Sequence, residues 1–145
     1  MTLNEIKSML MQQGILLTKS LGQNFLHDQN QLRRLLEASA VAPGDLVLEI
    51  GPGTGTLTEA LLERGCEVIA SELDTDMGDI IESRLGSRVR LVRGDCLDGA
   101  RSFSADVLHA LGDRPFRLIA NLPYGAASPI MSLLAPMRNC LGQFV

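Results

Sequence analysis

The sequence predicts an α/β chain built on a doubly wound, mostly parallel sheet, and three observations carry that prediction. Short apolar runs alternate with helical patterns along most of the chain. The first run, Leu46 to Ile50, passes directly into Gly51, Gly53 and Gly55 and then into a helical face, the order of buried strand, tight loop and helix start. The runs are apolar through their middles, as strands covered by helices on both faces must be.

Each element has its own signal. Thr2 and Glu5 form a capping-box pattern, and Leu3, Ile6, Met9 and Leu10 predict a short amphipathic helix that Gly14 ends. The stretch T-K-S-L-G-Q-N-F-L at 18–26 has neither period and is expected to be an ordered loop with Phe25 exposed. Asp28 is the candidate N-cap of a second helix with Leu32, Leu35, Leu36 and Ser39 on one face, stopped by Pro43-Gly44. After the first strand, Leu57, Ala60 and Leu61 give a helical face and Gly65 sits where a C′ glycine belongs. Residues 67–73, E-V-I-A-S-E-L, read as a second strand closing on Glu72. A helix from about Asp76 to Leu85 is acidic at its start and carries Arg84 at its end, as the helix dipole prefers. Gly78 lies inside it, at a cost of about 1 kcal/mol relative to alanine. Val89 to Arg93 is a third strand ended by Gly94-Asp95, and the weakly patterned segment 98–113 is expected to hold a short helix. Phe116 to Ala120 is a fourth strand that runs into N-L-P-Y at 121–124, and Ser128-Pro129 opens a helix with Ile130, Met131, Leu133 and Leu134 behind it.

Composition narrows the function classes. A chain of 145 residues with 46% hydrophobic content is enough for one domain with a core. Lys7, Lys19, Arg33 and Arg34 against Glu5 and Asp28 make residues 1–34 mildly basic, while the rest is acidic within a net charge of −4. Such a body offers no broad electrostatic footprint for nucleic acid. Three cysteines without a C-x-x-C pair, and two distant histidines, point to no disulfide framework and no metal site, and a reduced, cytoplasmic setting is expected. No apolar run approaches membrane-spanning length and Glu5 stands where a signal peptide would be basic, so no membrane partner is expected.

In doubly wound sheets ligands bind beyond the carboxyl ends of the strands, near the topological switch. The glycine loop, Glu72, Asp95 and Asn121 are predicted to share that edge, one at each strand end. Glycines admit positive φ and let a ligand lie against the backbone, and free N–H groups at the loop's end favour a polar or anionic group. Glu72, 17 residues after Gly55, is spaced to accept from a ribose diol. That leaves a nicotinamide dinucleotide and S-adenosylmethionine as candidates, and G-P-G-T-G departs from the G-x-G-x-x-G of the first. Asp95 suits an adenine amine. In N-L-P-Y, the Asn121 amide and the Leu122 carbonyl suit an exocyclic amine on an aromatic base, with the Tyr124 ring to stack on it.

K-S-L-G-Q-N-F-L at 19–26, E-I-G-P-G-T-G at 49–55, S-E-L-D at 71–74, G-D at 94–95 and N-L-P-Y at 121–124 together resemble the ribosomal RNA adenine N6,N6-dimethyltransferases, from Lys19 to about Leu134. The resemblance implies a Rossmann-like fold and S-adenosyl-L-methionine as cofactor. It implies that Gln23, Asn24 and Leu26 contribute to the cofactor site, Gly51 and Gly53 underlie the methionine part, Glu72 takes the ribose and Asp95 the adenine amine. Asn121 then serves cofactor and target alike, and Tyr124 stacks on the target adenine. The implied reaction is displacement of the sulfonium methyl by N6, twice on one adenine of small-subunit ribosomal RNA, with a small-subunit precursor particle as partner. The protein's part in it is alignment and desolvation.

By the same resemblance, residues 1–45 form a helical arm carrying the G-Q-N-F-L loop, and 46–145 the first part of the cofactor-binding domain. The sheet is expected to stop after strand four, leaving that strand as a bare edge, with a C-terminal helical domain absent. A large-subunit resistance-type methyltransferase shares the fold, but N-I-P-Y is common there; DNA adenine and glutamine methyltransferases usually show N-P-P-Y. A non-catalytic ribosome-assembly factor and a dinucleotide dehydrogenase are the readings from other classes.

Overall fold

The computed structural model describes residues 29–99, 102–120 and 140–144. The predicted helices near the N-terminus and after Pro129, and the 18–26 loop, lie outside them. The main sheet holds β1 (Leu46–Ile50), β2 (Glu67–Glu72), β3 (Arg90–Arg93), β4 (Phe116–Ala120) and β5 (Cys140–Phe144), in the order β3-β2-β1-β4-β5. All neighbouring pairs are parallel. The order reverses between β1 and β4, so the end of β1 lies at the topological switch.

Alternation of side chains sorts the apolar runs into two cores. On one face Val47, Val68, Ala70 and Ile119 pack with Leu32 and Leu36 of α1 (Gln29–Ser39), Leu57 and Leu61 of α2 (Thr56–Glu63), and Ile81 and Leu85 of α3 (Thr75–Leu85). On the other, Leu48, Ile69, Phe116 and Leu118 pack with Val107 and Leu111 of α4 (Ala105–Leu111). All five positions of β1 are buried, as expected of the central strand of a sheet covered on both sides.

The sheet continues past strand four, correcting the expected stop. β5 pairs in parallel with β4, with a register shift between Phe116 and Arg117. The apolar edge of β4 is thereby covered by backbone hydrogen bonding rather than left bare. Segment 98–113 holds the expected helix, α4, but a short antiparallel hairpin, Leu97–Asp98 with Ser102–Phe103, precedes it. Ser104 caps α4 through its hydroxyl, which accepts from the Val107 amide at 3.3 Å. α1 ends earlier than Pro43-Gly44 requires. Ala40 takes a left-handed φ of 52°, and the Ser39 hydroxyl donates back to the Leu36 carbonyl at 2.8 Å.

Gly78 also has a structural reason. A Cβ there would lie 3.1 Å from Arg93 Nη1. The arginine crosses from edge strand β3 over α3 to pair with Asp79 at 2.8 Å and Glu82 at 2.7 Å. The glycine's helical penalty is the cost of admitting this cross-connection.

Ser71 on β2 is 2% exposed and its hydroxyl has no hydrogen-bond partner among the described residues. A buried hydroxyl left unpaired costs about 1–3 kcal/mol. Ser71→Ala is therefore expected to raise unfolding free energy by about 1 kcal/mol, read as a higher urea midpoint at unchanged slope; a lower midpoint refutes it.

Candidate functional site

The site is assembled from the ends of three adjacent strands. Where β1 stops, Gly51, Gly53 and Gly55 take φ of 70°, 60° and 90°, values that a side chain would strain. The Gly51 amide donates to the Ser71 carbonyl at 3.0 Å, and the Gly55 amide to the Pro52 carbonyl at 3.0 Å. The Gly53 amide donates to Glu72 Oε1 at 3.1 Å. These three amides are committed within the protein. The loop's two side chains, Pro52 and Thr54, are buried, so what it offers a ligand is glycine backbone.

Glu72, 6% exposed, is braced at both carboxylate oxygens, since Oε2 accepts from the Asp74 amide at 3.2 Å. Burial pushes its carboxyl above the usual range, and the Asp74 charge adds to that, while the amides of Asp74 and Gly53 pull it back down. Asp74 also caps α3, accepting from the Met77 amide at 3.1 Å. The Gly94 amide donates to the Glu72 carbonyl at 2.9 Å, which ties the end of β3 to the end of β2. Asp95 follows at once, exposed, with Oδ1 accepting from the Leu97 amide at 3.0 Å.

Of the residues predicted from sequence, Gly51, Gly53, Glu72 and Asp95 thus stand on neighbouring strand ends. Gln23, Asn24, Leu26, Asn121 and Tyr124 lie outside the described residues.

Three further residues escaped the sequence reading. Leu73 is 69% exposed between Glu72 and Asp74, a large apolar side chain set out at the sheet's ligand edge. Its only sequence signal is its place directly after the acidic strand end. Glu49 is 2% exposed in the middle of the molecule, and Thr58 Oγ1 of α2 donates to its Oε2 at 2.7 Å. An acid inside L-V-L-E-I was the available signal. Arg84, read as a partner of the helix dipole, instead reaches back to the glycine loop, donating to the Thr54 carbonyl and pairing with Glu59 at 2.6 Å. No local pattern announces that contact.

Burial holds the Glu49 carboxyl at about 8, with the nearby Glu72 charge raising it further and the Thr58 hydroxyl opposing. The group is therefore neutral at pH 7. Its pKa is higher folded than unfolded, so its contribution to stability is fully present below about pH 4.5 and is lost as pH rises through about 8. Glu49→Gln mimics the neutral acid without titrating. Between pH 5 and 7 the parent is expected to lose about 1.4 kcal/mol per pH unit relative to this variant, measured by urea unfolding across pH; parallel profiles refute the assignment.

Among the described residues no cluster of three or more His, Cys, Asp or Glu is placed to hold a metal ion, and no helix is long and apolar enough to cross a membrane.

Comparison with known proteins agrees with this geometry. The chain is 39% identical over 143 residues to the ribosomal RNA small subunit methyltransferase A of Moorella thermoacetica, covering 95% of this chain and 50% of that protein. The chain spans about half the length of the curated relatives it matches. Among solved structures, the 23S rRNA methyltransferase ErmE superposes with a TM-score of 0.65 at 27% identity, over 81% of this chain and 45% of its own. A dimethyladenosine transferase from Plasmodium falciparum gives 0.58 at 26% identity, over 79% of this chain and 38% of its own. The fold is therefore that of the Rossmann-like methyltransferases. The family model described as "Ribosomal RNA adenine dimethylase" matches residues 15–140, and the chain belongs to that family.

Proposed function

We propose that this chain is the cofactor-binding part of an rRNA adenine N6-methyltransferase that uses S-adenosyl-L-methionine and dimethylates adenines of small-subunit ribosomal RNA. The observation that carries the reading is the pairing of the glycine loop at the topological switch with the braced Glu72 carboxylate. Its ligand has to be long enough to span two strand ends, with a polar part over glycines and a hydroxylated part at an acid. An adenosine attached to an amino acid has that form.

The residues present fit such a group. Gly51 and Gly53 leave room for the methionine part. Glu72 Oε1 accepts from the Gly53 amide and Oε2 from the Asp74 amide, and a carboxylate has about four acceptor positions, enough to accept from a ribose diol as well. Leu73 supplies an apolar face beside it, and Asp95 an acceptor for the adenine amine at the next strand end. When bound, the cofactor supplies an electrophilic methyl on a sulfonium. In this reading Asn121 and the Leu122 carbonyl accept hydrogen bonds from the target amine, which aims its lone pair, and Tyr124 stacks on the base. Gln23, Asn24 and Leu26 close the cofactor side, from a helical arm at 1–45 that precedes the domain at 46–145. A small-subunit precursor particle in the cytoplasm completes the proposed setting.

The likeness to ErmE supports a second reading, action on large-subunit RNA. The name of the Moorella relative and the N-L-P-Y tetrapeptide favour the small subunit.

Calorimetric titration with S-adenosylmethionine is expected to saturate, while a nicotinamide dinucleotide gives no signal; the reverse selectivity overturns the proposal. Glu72→Gln replaces one acceptor oxygen by an amide donor and is expected to weaken cofactor affinity about tenfold or more. Asn121→Ala is expected to lower methyl transfer to small-subunit RNA by about 10²-fold. Unchanged turnover in that variant removes Asn121 from the reaction, and transfer to large-subunit RNA alone selects the second reading. Cofactor binding without transfer to either RNA selects a non-catalytic assembly role.

A further inference from the structure

We propose that Arg84 is the positioning residue that locks the glycine loop in its ligand-receiving shape. Three observations meet at its guanidinium. One nitrogen donates to the Thr54 carbonyl, inside the loop. The other lies 2.6 Å from Glu59 Oε2 in the first turn of α2, so a single planar group spans the loop and the helix that follows it. The third is the space it occupies. A Cβ on Gly55 would stand 3.2 Å from Arg84 Nη1 and 3.4 Å from Leu85 Cδ1. Gly55 is thus required by the protein's own arginine as well as by its φ of 90°.

The peptide between Thr54 and Gly55 shows why a clamp is needed. Its carbonyl is held by Arg84, and its amide closes the turn onto the Pro52 carbonyl at 3.0 Å. Rotating that peptide, an inexpensive rearrangement in a turn with glycines at alternate positions, breaks both bonds at once. A loop with three glycines loses more backbone freedom on ordering than one with side chains, and a site that must be ordered by its ligand binds more weakly. Glu72 restrains the loop at Gly53, and Arg84 restrains it at Thr54 from α3. The arginine side chain is 17% exposed, so its contacts are shielded from competing water. A lysine offers one ammonium and lacks the planar fork that serves two acceptors in fixed directions.

The test compares the parent with R84A and R84K by amide hydrogen exchange over residues 51–56 and by titration with S-adenosylmethionine. In R84A, exchange at Gly53 and Gly55 is expected to accelerate about tenfold or more, on the scale of a lost charge-assisted hydrogen bond, while the central amides of β1 and β2 keep their rates. R84K is expected to fall between the two, and added guanidinium ion to restore protection to R84A. Loop exchange unchanged in a folded R84A overturns the proposal. So does a uniform acceleration through β1 and β2, the mark of an arginine that merely holds the fold. Should R84A not fold, R84K carries the same comparison. The affinity arm rests on the cofactor reading above and is expected to show roughly tenfold weaker binding in R84A, matching the lost contact. A parent that does not bind S-adenosylmethionine refutes that reading, while selective loop opening still establishes the clamp; equal affinity in parent and variant overturns the clamp's role in binding.

Discussion

The hydrogen bond from the Gly53 amide to the Glu72 carboxylate is the contact on which the ligand edge depends. Glu72 is almost wholly buried, and a carboxylate in that position is tolerable only if its oxygens are satisfied. The loop supplies one donor and the start of α3 supplies the other, through the Asp74 amide. In return, the loop acquires a fixed point on the neighbouring strand. Satisfying the charge and shaping the loop are one event, and neither the end of β1 nor the end of β2 has its observed form without the other. The Gly94 amide on the Glu72 carbonyl extends the same tie to β3, so three strand ends are aligned by backbone donors before any ligand is considered.

A second acid lies behind this edge and solves its burial differently. Glu49 faces α2 rather than a set of backbone amides, and among the described residues its hydrogen bond comes from Thr58. Two ionised carboxylates so near one another in a low dielectric would repel strongly. The protein separates them by environment, with Glu72 surrounded by N–H donors and Glu49 kept protonated by burial and by its neighbour's charge. The rear acid thereby serves as an uncharged link between the sheet and α2.

Membership in the ribosomal RNA adenine dimethylase family fits a scaffold in which the protein's work is placement. The contacts around the loop restrain backbone rather than move protons: Glu72 holds Gly53, Arg84 holds Thr54, and the Pro52 carbonyl holds Gly55. A reaction whose electrophile comes with the cofactor asks for this kind of site, since its rate is governed by the geometry in which two reactants meet.

Much of this was written in short stretches of the chain. The glycine loop, the strands at 46–50 and 116–120, the helix face of Leu57 and Leu61, and the acid at the end of β2 follow from local periodicity and from residue types whose backbone preferences act within a few positions. The glycine spacing and Glu72 therefore located two neighbouring strand ends from sequence. Other features depend on partners distant in the chain. C-L-G-Q-F at 140–144 has a glycine and a glutamine where a strand pattern wants apolar residues, and it becomes β5 because β4 presents an unpaired edge in parallel register. Arg84 serves the loop 30 residues before it, Arg93 fills the space that Gly78 leaves, and Glu49 becomes neutral only when the sheet and α2 enclose it. Sequence by itself determined where the backbone turns and where an acid meets it, because those are short-range steric and hydrogen-bonding preferences. Tertiary structure alone decided which acid is neutralised and which side chain braces the loop, because these depend on desolvation and on contacts that exist only once the helices lie on the sheet.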